Sequence, residues 1–287
     1  MELNFVNLLL DGFLLGGLFA LSAFGLSILA GIMKIINIAH GDFAILAAYL
    51  ALSIMNFFKV DPLLSLLIVV PFMFLVGYFF QKFTINRVLP MGANQPVLVT
   101  FALSIVIQNL LLLLFTADAR SLTPPYLLTY IEFLGLSPSP RYALGFAVSI
   151  IVFVAIFLFF KKTYVGKAMR AVPFDPEAAK MIGIKSEVIY NYAAGLALLV
   201  VGIAGVLLGL TFTFYPDTGP MYVLLSFGVV VLGGLGSLKG SLAGGFIMGE
   251  ALVLGGYFFG SRFQLMFCYL VILVILYIRP QGLFGER

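Results

Sequence analysis

Residues 161–187, KKTYVGKAMRAVPFDPEAAKMIGIKSE, are the longest charged passage in a chain otherwise built of apolar runs. Lys161, Lys162, Lys167, Arg170, Lys180 and Lys185 are six of its sixteen basic residues. Loops this basic stay on the cytoplasmic side of a membrane. The passage therefore sets the expected direction of every span that flanks it.

The same passage carries the signals of a short helix over 176–182. Asp175 can accept from the free N–H groups of a helix start. Pro176 suits the first helical position, where no N–H is needed. Glu177 complements the positive end of the helix dipole. Gly183 can take the left-handed conformation that closes the helix. A helix this short is marginal on its own, so Ala178, Ala179, Met181 and Ile182 need a surface to pack on. Either this chain's own membrane ends supply it or a groove on a cytoplasmic partner does.

The rest of the composition fits a polytopic all-α membrane protein. The chain has 287 residues, 62% hydrophobic and only 10% charged, with a mean hydropathy of +1.16. Soluble domains are about 25% charged. The net charge of +4 belongs to loops, and the basic residues lack the clustered aromatics of a nucleic-acid surface. Cys268 is the one cysteine and His40 the one histidine. An intrachain disulfide and a cysteine metal site are thereby excluded, and neither metal nor cofactor is expected.

Apolar spans are expected at 8–33, 43–58, 63–80, 96–115, 142–160, 188–214, 221–232, 246–259 and 263–278, which gives eight or nine crossings. A hydrocarbon core of about 30 Å needs roughly 20 helical residues. The first run is too long for a signal-peptide core and lacks a basic start, so it reads as a retained span. Two interruptions, 34–42 (KIINIAHGD) and the glycine-rich 233–245 (GGLGSLKGSLAGG), leave the count open and are either turns or re-entrant segments. With 161–187 inside, alternation puts 34–42, Lys82, Arg87, Lys239 and Arg279 inside as well. The proline-rich stretch 116–141, with Asp118, Arg120 and Glu132, falls outside. The N-terminus is then external and the C-terminus cytoplasmic. Gly12/Gly16, Gly205/Gly209, Gly245/Gly249 and Gly256/Gly260 are small-residue pairs suited to close helix contact.

A faint internal echo runs between 25–47 and 228–250. It pairs Gly25 with Gly228, Leu29 with Leu232, Gly31 with Gly234, Gly41 with Gly244 and Phe43 with Phe246. Such self-similarity marks transporter halves. The expected topology makes the two copies parallel; if either interruption is re-entrant, they are inverted.

Three features can carry function. Polar, helix-breaking residues at membrane depth are tolerated only where protein buries them or water reaches them. Asn37, His40 and Asp42 thus read as a substrate passage or as an ordinary cytoplasmic turn. Helix ends there would suit the carboxylate and ammonium of a zwitterion. Thr100, Ser104 and Gln108 recur at i, i+4, i+8 as one polar stripe, facing either a wet pathway or a neighbouring helix. Glu250 is the carboxylate well inside a span, where ionisable groups are usually functional. It reads as lining the pathway or as structural. No G-x-x-x-x-G-K-[ST] phosphate loop occurs, since Gly166-Lys167 is followed by Ala168. No H-E-x-x-H or catalytic acid pair occurs either, so a transport subunit is expected rather than an enzyme.

Nearly the whole length resembles LivH-type permeases of bacterial branched-chain amino acid ABC transporters. The resemblance rests on 17–51 (GLFALSAFGLSILAGIMKIINIAHGDFAILAAYLA) and on Ser104 with Gln108-Asn109. It rests also on G-x-A-x-R-A at 166–171, LGGLGSLKG at 232–240 and RPQGLFG at 279–285. Urea and short-chain amide permeases share these features. The resemblance implies a single permease domain over 1–287 in a bacterial inner membrane. It also implies a second, LivM-like permease, two cytoplasmic ATPases and an external solute-binding protein as partners. In that setting 161–187 corresponds to the ATPase-coupling loop, carried by Gly166, Arg170, Asp175, Glu177, Ala178 and Gly183. An ion-coupled secondary transporter is the alternative from a different class, and it would need Glu250.

Overall fold

The computed structural model describes residues 2–92, 94–127, 129 and 136–285. Eleven principal helices among them run in the order α1 (Glu2–Met33), α2 (His40–Phe58), α3 (Pro62–Phe80), α4 (Gln95–Phe115), α5 (Pro140–Lys162), α6 (Tyr164–Ala171), α7 (Pro176–Met181), α8 (Ser186–Thr211), α9 (Gly219–Gly233), α10 (Leu238–Phe259) and α11 (Gln264–Ile278). α3 runs on through a π-turn, Gln81–Ile85, to a short tail ending at Met91. Seven of the described helices are long and apolar enough to cross a membrane: α1, α2, α3 with its tail, α4, α5, α8 and α10. α9 and α11 are apolar but fifteen residues each, about 22 Å of helix. Arg120 forms an isolated antiparallel bridge with Phe214. Glu132, expected in the outer loop, lies outside the described residues.

α1 and α8 form the centre and are buried over most of their length. Small residues bring the other helices onto them. Gly16 faces Gly245, Phe246 and Gly249 of α10, and Ala20 faces Gly245. Gly205 faces the Ala44 carbonyl of α2, and Gly77 of α3 faces that of Ala194. A Cβ at these glycines would strike backbone, so contacts this close need them. The pairs Gly12/Gly16, Gly205/Gly209 and Gly245/Gly249 all take part. Gly256/Gly260 does not. Gly260 ends α10 at φ +83° with open space around it.

The two interruptions are shorter than their polar and glycine content suggests. α2 starts at His40, so His40, Gly41 and Asp42 form its first turn. α10 starts at Leu238, capped by Ser237 Oγ, which accepts from the Gly240 N–H at 3.0 Å. Gly240 sits against Gly233, Gly244 against Val229 and Gly245 against Ala20. These glycines are spacers between helices rather than breakers. α6 carries no strong sequence signal except Thr163, which caps it by accepting from Gly166 N at 3.0 Å.

One end of the bundle collects the 34–39 and 234–237 breaks, the tail of α3 with Lys82 and Arg87, the 161–187 loop and residues 279–285. The opposite end collects Asp11, Asp61, Asp118 and Arg120. There Asp11 accepts from Ser139 N at 2.9 Å and Asp61 accepts from Leu63 N at 2.8 Å and Tyr126 OH at 3.0 Å. Burial, helped by the Asp61 bond, pushes the Tyr126 phenol up to about 12.

Candidate functional site

α1 ends at Met33, and Lys34 turns the chain through the left-handed region at φ 56°. Residues 34–39 then climb back along α1. His40 Nε2 comes to 2.7 Å from the Ser22 carbonyl, eleven residues above Met33, or about 16 Å along the helix. The non-helical stretch, the turn in which His40 N donates to Asn37 O at 3.3 Å and the reach of the imidazole together cover that distance. α2 therefore starts deep in the bundle. His40 donates from Nε2 to Ser22, which leaves Nδ1 as a buried atom with no partner.

α4 supplies the facing wall. Thr100 Oγ1 accepts from Ile38 N at 3.2 Å, and Gln108 Nε2 donates to Asp42 Oδ1 and to Ser104 Oγ, each at 3.0 Å. The polar stripe of α4 and the polar break thus form one site, which spacing along the chain alone does not reveal. Asn37, His40, Asp42, Thr100 and Ser104 are all buried. Asn37 Oδ1 and Asp42 Oδ2 also lack partners. Groups left this way cost about 1–3 kcal/mol each, so the segment is poised to accept donors. Beside Asn37 is a cavity of about 10 Å³ lined also by Gln81 and Thr100, close to the space of one water.

α9 starts at the same place. Gly41 meets the Gly219 carbonyl, and Gly219 lies against the Asp42 side chain. Neither Ala39 nor Thr218 caps its helix with a side chain. Asp42 thus lies in the first turn of α2 and against the first residue of α9, where the partial positive charge of helix starts favours a carboxylate. A hydroxyl pair, Ser22 with Ser226 at 3.1 Å, ties α1 to α9 nearby.

Glu250 does not belong to this site. It packs against Gly12 of α1, ten residues from Ser22 and so about 15 Å away along the helix. Its Oε2 is buried without a partner between α1 and α10. Its carboxylate is where the sequence suggests, inside a span, but on a different seam.

The basic loop forms the expected helix as α7. Asp175 Oδ1 accepts from Glu177 N and Ala178 N at 3.1 and 2.9 Å. Gly183, at φ +84°, closes the other end: its N–H bonds Lys180 O and the Ile184 N–H bonds Ala179 O, each at 3.0 Å. These two bonds make a Schellman motif, and Ala179 and Ile184 are buried against this chain, as the hydrophobic contact of that motif requires. Ala178, Glu177 and Arg170 are exposed. Phe174 and Met181 are 85% exposed and Ile182 74%. Gly166 is placed differently from its loop companions. It is buried where α6 folds back on Phe159 and Phe160, so it shapes the joint and is not on the bare surface.

A chain of three side-chain amides, absent from the sequence reading, ties this end together. Gln81 Nε2 donates to Asn86 Oδ1 at 2.8 Å, and Asn86 Nδ2 donates to Asn191 Oδ1 of α8 at 2.9 Å.

The profile of a family described as "Branched-chain amino acid transport system / permease component" matches residues 8–276. The chain belongs to this family. It is a multi-pass membrane protein related to transport permease subunits. It is 28% identical to the high-affinity branched-chain amino acid transport system permease protein BraD of Pseudomonas aeruginosa, over 99% of this chain and 96% of that one. It is 25% identical to the LivH permease of Escherichia coli K12 over the same shares. A probable LivH of Methanocaldococcus jannaschii is 26% identical over 97% and 92%. Among solved structures, PsaBC from Streptococcus pneumoniae in complex with Fab matches with a TM-score of 0.51. It covers 96% of this chain and 92% of that one at 15% identity, a likeness of fold.

Proposed function

We propose that this chain is the permease subunit of a binding-protein-dependent ABC importer for branched-chain amino acids. It acts as a single permease domain over 1–287, with 161–187 as the ATPase-coupling loop. The observation that carries this reading, in a member of the permease family, is the bare side of the basic loop. α7 is capped at both ends and seated by Ala179 and Ile184, yet Phe174, Met181 and Ile182 project uncovered. Burying each in a partner's groove yields roughly 1.5–3 kcal/mol. Arg170 and Glu177 frame that face with charge. The partners are two cytoplasmic ATPases, a second LivM-like permease and an external solute-binding protein. The chain has no phosphate loop of its own, and ATP hydrolysis by the partners supplies the energy.

The basic end of the bundle is cytoplasmic in a bacterial plasma membrane, as the positive-inside rule requires. This puts the N-terminus outside and the C-terminus inside. The solute passes the deep break, where Asn37, His40 and Asp42 on one side and Ser104 and Gln108 on the other offer acceptors and donors to a zwitterion. ATP-driven movement of α7 shifts the start of α8 and opens this break to alternate sides.

Replacing Arg170 and Glu177 together with Ala, or Met181 and Ile182 with Ser, should abolish ATP-dependent leucine uptake while membrane insertion persists. Unchanged uptake in both double variants would falsify the coupling role. Competition of labelled leucine with urea and acetamide separates amino acid import from the amide import of similar permeases.

A further inference from the structure

At the end of the bundle opposite the basic loop, α2 and α4 diverge around an open pocket of about 530 Å³. Ligand pockets are typically ~300–1,000 Å³. Its wall combines apolar Leu52, Phe57, Leu114 and Phe115 with Ser53, Asn56, Thr116 and Arg120. Arg120 is fixed in place. Its backbone N–H and C=O both pair with Phe214, at 3.0 and 2.9 Å. One terminal nitrogen reaches the Phe115 carbonyl at 3.4 Å and Asp118 at 3.3 Å. The Nε–H is buried and has no acceptor. A guanidinium whose side chain is still 41% exposed, beside an apolar wall, suits a carboxylate joined to a hydrocarbon group.

The pocket has a floor. Tyr49 is fully buried one turn below Ser53, with its ring 4.5 Å from Phe115 and 5.0 Å from Phe214. Its hydroxyl has no partner. Seven residues, or two turns, further down the same face of α2 is Asp42, held by Gln108 of α4. The pocket, the aromatic floor and the deep site thus lie in order along one seam between two helices. α4 rests mainly on α2 and is otherwise exposed.

We propose that the pocket is an outer seat for the transported solute, binding an apolar α-amino acid with its carboxylate on Arg120 and its side chain against Leu52, Phe57 and Leu114. The seat rests on the import reading above and adds a location and a recognition group to it. Tyr49 and Phe115 separate this seat from Asp42.

The native thiol makes the test simple, because Cys268 is buried. In the full chain carrying Asn56→Cys, a membrane-impermeant maleimide added outside intact cells should label the introduced thiol while Cys268 stays silent. Leucine should slow the labelling. Leucinamide, which lacks the carboxylate, should not. Adding Arg120→Gln should preserve the labelling rate but weaken leucine protection by about tenfold or more, as loss of a charge-assisted pair does. Arg120→Lys should restore part of it. The seat is overturned if the introduced thiol stays unlabelled in a chain whose Cys268 is silent, if leucinamide protects as well as leucine, or if protection survives Arg120→Gln. ATP-dependent uptake by the assembled importer is measured in parallel. Protection without uptake would sink the import reading and keep the seat, and uptake without protection would do the reverse.

Discussion

The pair α1–α2 and the pair α9–α10 are the two halves of the sequence echo, and they solve the same problem differently. In each, the first helix runs toward the basic end, breaks there, and the second helix runs back. The copies are parallel, as the topology requires. The second break is tight. Gly234 and Gly236, at φ +100° and +80°, reverse the chain within residues 234–237, and Gly240 packs directly on Gly233. The first break keeps Gly31 opposite Gly234 but lacks the other glycines. In the alignment Met33 stands opposite Gly236 and Asn37 opposite Gly240, so neither the turn nor the backbone contact can form. The chain runs on without helix to the turn at 37–40, and α2 starts at His40, which stands opposite Ala243, five residues beyond the start of α10 at Leu238. What this costs is visible in Asn37, His40 and Asp42, each with a buried unpartnered atom. Among the described residues the second break carries none, and Glu250, about three turns into α10, is the one such group in that pair. One scaffold thus gives a closed hairpin or an open polar break according to whether glycine stands at the positions of Gly236 and Gly240.

Substitutions at five positions test this contrast. Gly41 and Gly244 are aligned, and a Cβ on either strikes backbone, the Gly219 and Val229 carbonyls respectively. Gly41→Val should have the largest effect, with loss of uptake and of folded protein in detergent. Gly41→Ala and Gly244→Ala should each lower stability by about 1–3 kcal/mol, read as a fall in Tm. If only one of the two is sensitive, the halves are less alike than their alignment suggests. Asp42→Asn conserves shape and should leave Tm nearly unchanged while uptake falls about tenfold, the worth of one hydrogen bond to a charged group. Wild-type uptake in this variant would make the deep break a structural turn. Ser237→Ala removes the cap of α10 and should cost about 1 kcal/mol of stability, with uptake at saturating solute retained. Glu250→Gln should be the mildest, changing uptake less than about twofold because the carboxylate is about 15 Å from the break along α1. A complete loss would revive the ion-coupled reading.

The capped loop helix was legible because Asp175, Pro176 and Gly183 act locally, through their own backbone and the next few residues. The spans were legible for the same reason, since hydropathy is a property of a window. What the sequence could not show depended on which helices meet. Thr100, Ser104 and Gln108 form a visible stripe, but only the packing of α4 on α2 joins them to Asn37 and Asp42. Glu250 looked equally functional, and only the seam it occupies separates it from them. The glycines at 240–245 read as breakers because a glycine that loosens a helix and one that lets a neighbour approach are the same letter. Asn86 and Asn191 carried no signal, being more than a hundred residues apart.

Those two asparagines have a mechanical consequence. The first turns of α8 follow directly on α7 and Gly183, so whatever pushes α7 also pushes Asn191. A shift of about an ångström there must either break the 2.9 Å bond to Asn86 or drag Asn86, and with it Gln81, along. Gln81 stands in the wall of the small cavity beside Asn37. A push delivered at the membrane surface is therefore felt, three amides later, where the bundle leaves room for a water beside an unpartnered amide oxygen.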